Sequence, residues 1–174
     1  MNVSKLAALM LAAGFASTAF AAGQGGGQIE FYGDIIDAPC SVNPDSIDQR
    51  IPMGQISNKE LNGGKVSQST KRFEIKLENC SVETLKTVEV TFGGTSDVND
   101  ADLLALVGNA KGAGIRLVDG SNTLIKLGQA TQPTQLVNGN NTLIFGANLK
   151  GSDAAVDVTP GDFTAVTTFA LEYK

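Results

Sequence analysis

The stretch from Gly23 to Cys40, GQGGGQIEFYGDIIDAPC, constrains this chain more than any other. It reads as a β-strand with almost nothing ahead of it. Gln28, Glu30, Tyr32 and Asp34 alternate with Ile29, Phe31, Gly33 and Ile35, the two-residue period of a strand with one apolar face. Such a strand needs a sheet. The glycines at 25, 26 and 27 leave it free to find one in its own domain or in another molecule.

Ahead of it, residues 1–21 carry a single lysine, Lys5, then an apolar run from Leu6 to Phe15 and the small-residue finish Ala19-Phe20-Ala21. That is the outline of a secretory signal peptide cut before Ala22. The apolar run is too short to span a bilayer, so an exported protein with no membrane insertion is expected. Setting Lys5 aside with the leader leaves 12 basic against 18 acidic side chains, a net charge of −6. A surface of that sign repels phosphate backbones and argues against nucleic acid as a partner.

Two cysteines, Cys40 and Cys80, are the whole complement. In an exported chain they are expected to form one disulfide. Closing a loop of that length stabilises by about 4 kcal/mol on the chain-entropy model. With no histidine anywhere, metal sites of the usual kind and serine–histidine or cysteine–histidine nucleophiles are ruled out, and no cofactor is expected. Paired carboxylates remain, but Glu74, Glu78 and Glu89 fall at the outward positions of alternating strands and read as a solvated face. Asp97, Asn99, Asp100 and Asp102 lack the glycine and the closing glutamate of a calcium loop, and read as a polar loop.

Downstream, short strands and polar turns dominate. Ile47–Gln55 reads as an edge strand interrupted by Pro52, and 58–69 as a loop around Asn62-Gly63-Gly64. Residues 72–78 alternate with Phe73, Ile75 and Leu77 inward, and 85–92 follow with Val88, Val90 and Phe92 in phase. Ala101 to Leu106 suits a short helix. Residues 115–118 and 123–127 read as a hairpin about Asp119-Gly120-Ser121-Asn122, and Asn138 to Asn141 as a turn before a strand over 142–149. A closing strand, 163–173, carries Phe163, Ala165, Thr167, Phe169, Leu171 and Tyr173 on one face, with nothing left to fold back beside it. Some seven strands spaced by turns indicate an all-β sandwich.

These marks together resemble the pilins of chaperone–usher fimbriae, in particular the major rod subunits of P-pilus and type 1 fimbriae. The likeness runs over the whole chain. It is carried by Gly27 to Ile35, by Asp37-Ala38-Pro39-Cys40, by Met53-Gly54-Gln55-Ile56, by Leu77-Glu78-Asn79-Cys80, by Gly161, and by the penultimate Tyr173. The resemblance implies an incomplete immunoglobulin-like sandwich that lacks its last strand and is completed by a donor strand from a neighbouring subunit. It implies a signal peptide over 1–21, a donor arm over 22–37 and a pilin domain over 38–174.

On that likeness Ile29, Phe31 and Ile35 plug apolar pockets of the next subunit, while Gly27 and Gly33 let two backbones approach. Gly161, Phe163, Phe169, Leu171 and Tyr173 form the strand that receives the chaperone and then the donor, with the Lys174 carboxylate held by basic chaperone side chains. The implied partners are identical or related pilin subunits in a helical homopolymer, a periplasmic chaperone and an outer-membrane usher. The implied destination is an extracellular fimbrium reached through the periplasm. Two other readings stand beside this one: a minor or tip subunit that itself binds a host receptor, and a small periplasmic hydrolase.

Overall fold

The computed structural model describes residues 27–33, 35, 38–155 and 157–174. The expected signal peptide, the glycines at 25 and 26, and Asp34 and Asp37 lie outside the described residues. The chain divides into two units between residues 35 and 36, each described by itself.

In the first unit, residues 27–33 and 35 form no strand, and Ile29, Phe31, Tyr32 and Ile35 are exposed, Phe31 to 90%. The alternation is there without the ladder, because a lone strand has no partner for its backbone groups. A Cβ placed on Gly27 or Gly33 would meet only open space.

The second unit is built around the cleanest alternation in the sequence. β1 (Ser41–Val42) and β2 (Lys71–Cys80) lead into β3 (Thr87–Gly93), β4 (Leu104–Ala105), β5 (Val107–Gly108) and β6 (Ala113–Asp119). β7 (Leu124–Ile125), β8 (Thr134–Gln135), β9 (Gly139–Gly151), β10 (Phe163–Thr164) and β11 (Thr168–Tyr173) follow. All pairings are antiparallel. The main sheet runs β1-β2-β9-β6-β4 with β7 hairpinned on β6, the second runs β11-β3-β8, and β10 pairs with β5 alone. The main sheet ends in strands of two residues at both sides, whereas β11, an edge of the second sheet, is six residues long.

The core lies between the main and second sheets. β2 contributes Phe73, Ile75 and Leu77 and β9 contributes Leu143, Phe145, Ala147 and Leu149, facing Val88, Val90 and Phe92 from β3. The rings of Phe92 and Phe145 meet edge to face at 5.0 Å, with Phe73 against both, so aromatic contacts join the two layers. Cys40 and Cys80 are disulfide-bonded as expected, fastening the start of β1 to the end of β2.

Three elements depart from the sequence expectation. Residues 48–56 form no strand: a short 3-10 helix (Pro44–Ser46) precedes them, Pro52 offers no N–H, and Gly54 adopts φ 78°. The expected loop over 58–69 begins with a helical turn, Asn58–Leu61, whose Leu61 is buried. The expected helix over 101–106 is absent, and Leu104 and Ala105 pair with β6 instead. The Ala105 N–H donates to the Thr95 carbonyl at 2.8 Å rather than back along a helix. Two boundaries also move. β9 starts at Gly139, inside the expected turn, and the closing strand breaks between β10 and β11 as it changes partner from β5 to β3.

The acidic loop has a structural use. Lys150 Nζ lies 2.6 Å from Asp100 Oδ2, and this bond holds the Asp100 carboxyl below its ordinary pKa of 3.8 despite partial burial. A depressed carboxyl contributes stability that is present above the unfolded-state pKa and lost as pH falls through the lower folded value. Asp100→Asn is therefore expected to lower the urea midpoint at pH about 7, with the difference from the native chain vanishing by pH about 2.

Candidate functional site

The second sheet stops abruptly at β11. In the β3–β11 ladder Phe169 lies opposite Phe92, Leu171 opposite Val90 and Tyr173 opposite Val88. The β3 members of these pairs are 1–2% exposed, yet their β11 partners are only half-buried. The same holds back through Phe163 and Ala165, all of which pack on the core with one flank uncovered. Buried neighbours on one side and none on the other mark an apolar face that ends one strand early. Among the described residues no strand pairs with the far side of β11, so that row of N–H and C=O groups is available to a partner.

A second wall comes from residues 54–56, at the end of the stretch expected to be a strand. Residues 48–56 make no backbone–backbone hydrogen bonds among the described residues, and Met53 and Ile56 sit half-buried against the core. A cleft of about 350 Å³ is lined by Ile56, Leu61, Leu106, Leu149, Val158 and Phe163, beyond the start of β11. Such a site suits an extended segment that alternates apolar and polar residues.

Of the acceptor residues named from sequence, Phe163 and Gly161 line this cleft, and Phe169, Leu171 and Tyr173 continue the face along β11. Gly161 is there for contact distance: a Cβ would stand 2.5 Å from the Ala110 nitrogen. That approach lets the Asp162 carbonyl accept the N–H groups of Asn109 and Ala110, at 3.0 and 3.2 Å. The Tyr173 hydroxyl is buried with no hydrogen-bond partner among the described residues, and burial raises its pKa above the ordinary phenol value. Met53, Ile56, Leu106 and Val158 were missed as site residues. The only sequence signal was the apolar pair Met53 and Ile56 around a glycine, which their expected strand obscured.

The chain end is tied down. The Lys174 carbonyl accepts the N–H groups of Lys86 and Thr87 at 2.7 and 2.8 Å. Its Nζ reaches Glu89 at 2.7 Å, a bond that raises the Lys174 pKa. Glu89 thus departs from the solvated-face expectation, as does Glu78, which accepts from Asn43 at 2.6 Å, whereas Glu74 is exposed as expected. The donor residues Gly27, Ile29, Phe31, Gly33 and Ile35 belong to the other unit, where their apolar side chains stand in the open. No helix among the described residues is long and apolar enough to cross a membrane.

Gly161→Ala is expected to cost about 1–3 kcal/mol by overpacking against the 109–110 backbone, read as a lower urea midpoint. Gly33→Ala, which meets nothing, is expected to leave that midpoint unchanged.

Comparison with known proteins bears on this geometry. Residues 29–174 match the family model described as fimbrial protein. The chain is 51% identical to the Fimbria A protein of Serratia marcescens and 46% identical to the Major MR/P fimbria protein of Proteus mirabilis, covering 100% of both chains in each case. It also superposes on a subunit from the structure of a chaperone–usher pilus with a TM-score of 0.76 at 32% identity, covering 87% of this chain and 97% of that one.

Proposed function

The chain belongs to the fimbrial protein family and is a structural subunit of a fimbria, and from that premise we propose that it polymerises by lending residues 27–35 to the open edge of β11 on the next copy. The observation that carries this reading is the half-buried row Phe163, Phe169, Leu171 and Tyr173 beside an unpaired strand edge. The same polypeptide carries a segment with the matching period whose described residues pair with no strand.

The energetics support a durable joint. Burying Ile29, Phe31 and Ile35 is worth roughly 5–9 kcal/mol at about 1.5–3 kcal/mol per side chain. Each main-chain hydrogen bond along the added strand contributes about 0.5–1.5 kcal/mol. Gly27 and Gly33 have no side chain to hold the two backbones apart.

Before assembly the same face needs a cover, since an apolar groove beside an open strand edge invites aggregation. A periplasmic chaperone that supplies a temporary strand, and an outer-membrane usher where the exchange occurs, fit that requirement. The residues assigned to the chaperone are those of the groove, Gly161 to Tyr173, with the Lys174 carboxylate at its end. The domain boundaries proposed with this reading are a leader over 1–21, an arm over 22–37 and a pilin domain over 38–174. The role is structural, without catalysis. A tip or minor subunit that itself binds a receptor has less support, because the Proteus relative matched along its whole length is named as a major fimbria protein.

Phe31→Asp tests the assignment, because it places a charge where an apolar pocket must close. Subunits carrying it are expected to accumulate with chaperone in the periplasm and to give no fibres by electron microscopy. Fibres of normal length and number from this variant would refute the donor role of the arm.

A further inference from the structure

We propose that the Cys40–Cys80 disulfide keeps tension on the arm from reaching the groove wall. The inference rests on the strand-exchange reading, because it takes the arm and the groove as the two ends by which each copy is pulled.

Only four residues separate Ile35 from Cys40. Past Cys40 the chain enters β1, an edge strand held to β2 by two residue pairs, Ser41 with Glu78 and Val42 with Leu77. The Asn43 N–H adds a bond to the Lys76 carbonyl at 2.9 Å. Next come the 3-10 helix and the 48–56 run, which makes no backbone–backbone hydrogen bonds among the described residues, is tied to β2 by the Gln49 side chain on the Glu74 carbonyl, and ends in residues 54–56 that line the groove. The wall therefore lies inside the covalent loop that the disulfide closes.

Without the cross-link, a pull on the arm loads these elements in series. β1 offers a few hydrogen bonds, each weak by itself, and they open one after another. The wall follows, and with it the grip on the strand seated in the groove. With the cross-link, the load crosses from Cys40 to Cys80, whose Cα atoms are 4.1 Å apart, and enters β2. That strand is laddered on β9 from Lys71 opposite Ala147 to Cys80 opposite Gly139, in the middle of the main sheet. Tension arriving from the arm then bypasses the loop and its wall. Cys40 and Cys80 are 3% and 5% exposed, which keeps dissolved thiols from the bond while the domain is folded.

The test is to stretch assembled fibres end to end by atomic force microscopy, with and without reductant. Urea is raised equally in both arms until mass spectrometry of alkylated peptides shows Cys40 and Cys80 cleaved in the reduced sample. The 30 residues 41–70, between Cys40 and the start of β2, then correspond to roughly 100 Å of new contour per cleaved subunit, at about 3.3 Å per residue. Reduced fibres are expected to show steps of that size and to part at lower force than the oxidised control. Cleaved fibres with the extension and rupture force of the control would overturn the proposal. Normal fibres from Phe31→Asp would instead remove the premise of strand exchange, a separate result.

Discussion

A backbone that lies in a sheet must have its polar groups paired, and in this protein that requirement is unmet along β11. Everything distinctive about the domain follows from that edge. The core-facing residues of β3 are sealed, whereas Phe169, Leu171 and Tyr173, one ladder step away, are not. A difference so sharp between adjacent strands comes from where the second sheet stops, since the side chains on either strand are equally apolar. In the proposed exchange, stability and assembly are two aspects of one deficit: the surface that leaves the domain under-covered is the surface that would receive a partner strand.

The rest of the fold supplies a rigid frame for that edge. β2, β9 and β6 are long and mutually laddered, and the contact between Phe92 and Phe145 couples them to β3, on which β11 is mounted. The disulfide fixes the point at which the chain enters this frame. By contrast residues 48–56, whose end forms the groove's other wall, make no backbone–backbone hydrogen bond among the described residues and are held by the packing of Met53 and Ile56 and by the Gln49 side chain, which donates to the Glu74 carbonyl of β2 at 2.8 Å. One wall is part of a sheet and the other leans on it.

The parts legible in the sequence were those governed by local period. β2 and β3 showed their inward rows plainly, the hairpin of β6 and β7 announced itself through Asp119 to Asn122, and the two cysteines paired as export chemistry dictates. The misread parts were decided by distant contacts. Leu103 and Leu104 look helical in isolation, but β6 offers Leu104 a ladder and a buried site, and the Ala105 N–H that a helix would have used donates to the Thr95 carbonyl. Residues 48–56 have the apolar content of a strand, yet Pro52 and the left-handed Gly54 deny them a ladder. The closing strand kept its alternation from Phe163 to Tyr173 while its pairing changed midway, something a period cannot reveal. Of the site, the β11 side was visible as an apolar row, and the facing wall was not, because its role depends on having no hydrogen-bond partner.

The lengths of the sheet edges carry one more consequence. Both borders of the main sheet are strands of two residues, and β8, the other border of the second sheet, is equally short, so none of them offers a run long enough to template a lasting cross-molecule ladder. Only β11 does. If copies join by the proposed exchange, a building block with one such receptor and one segment to give has a valence of two, and its copies make a line that does not branch.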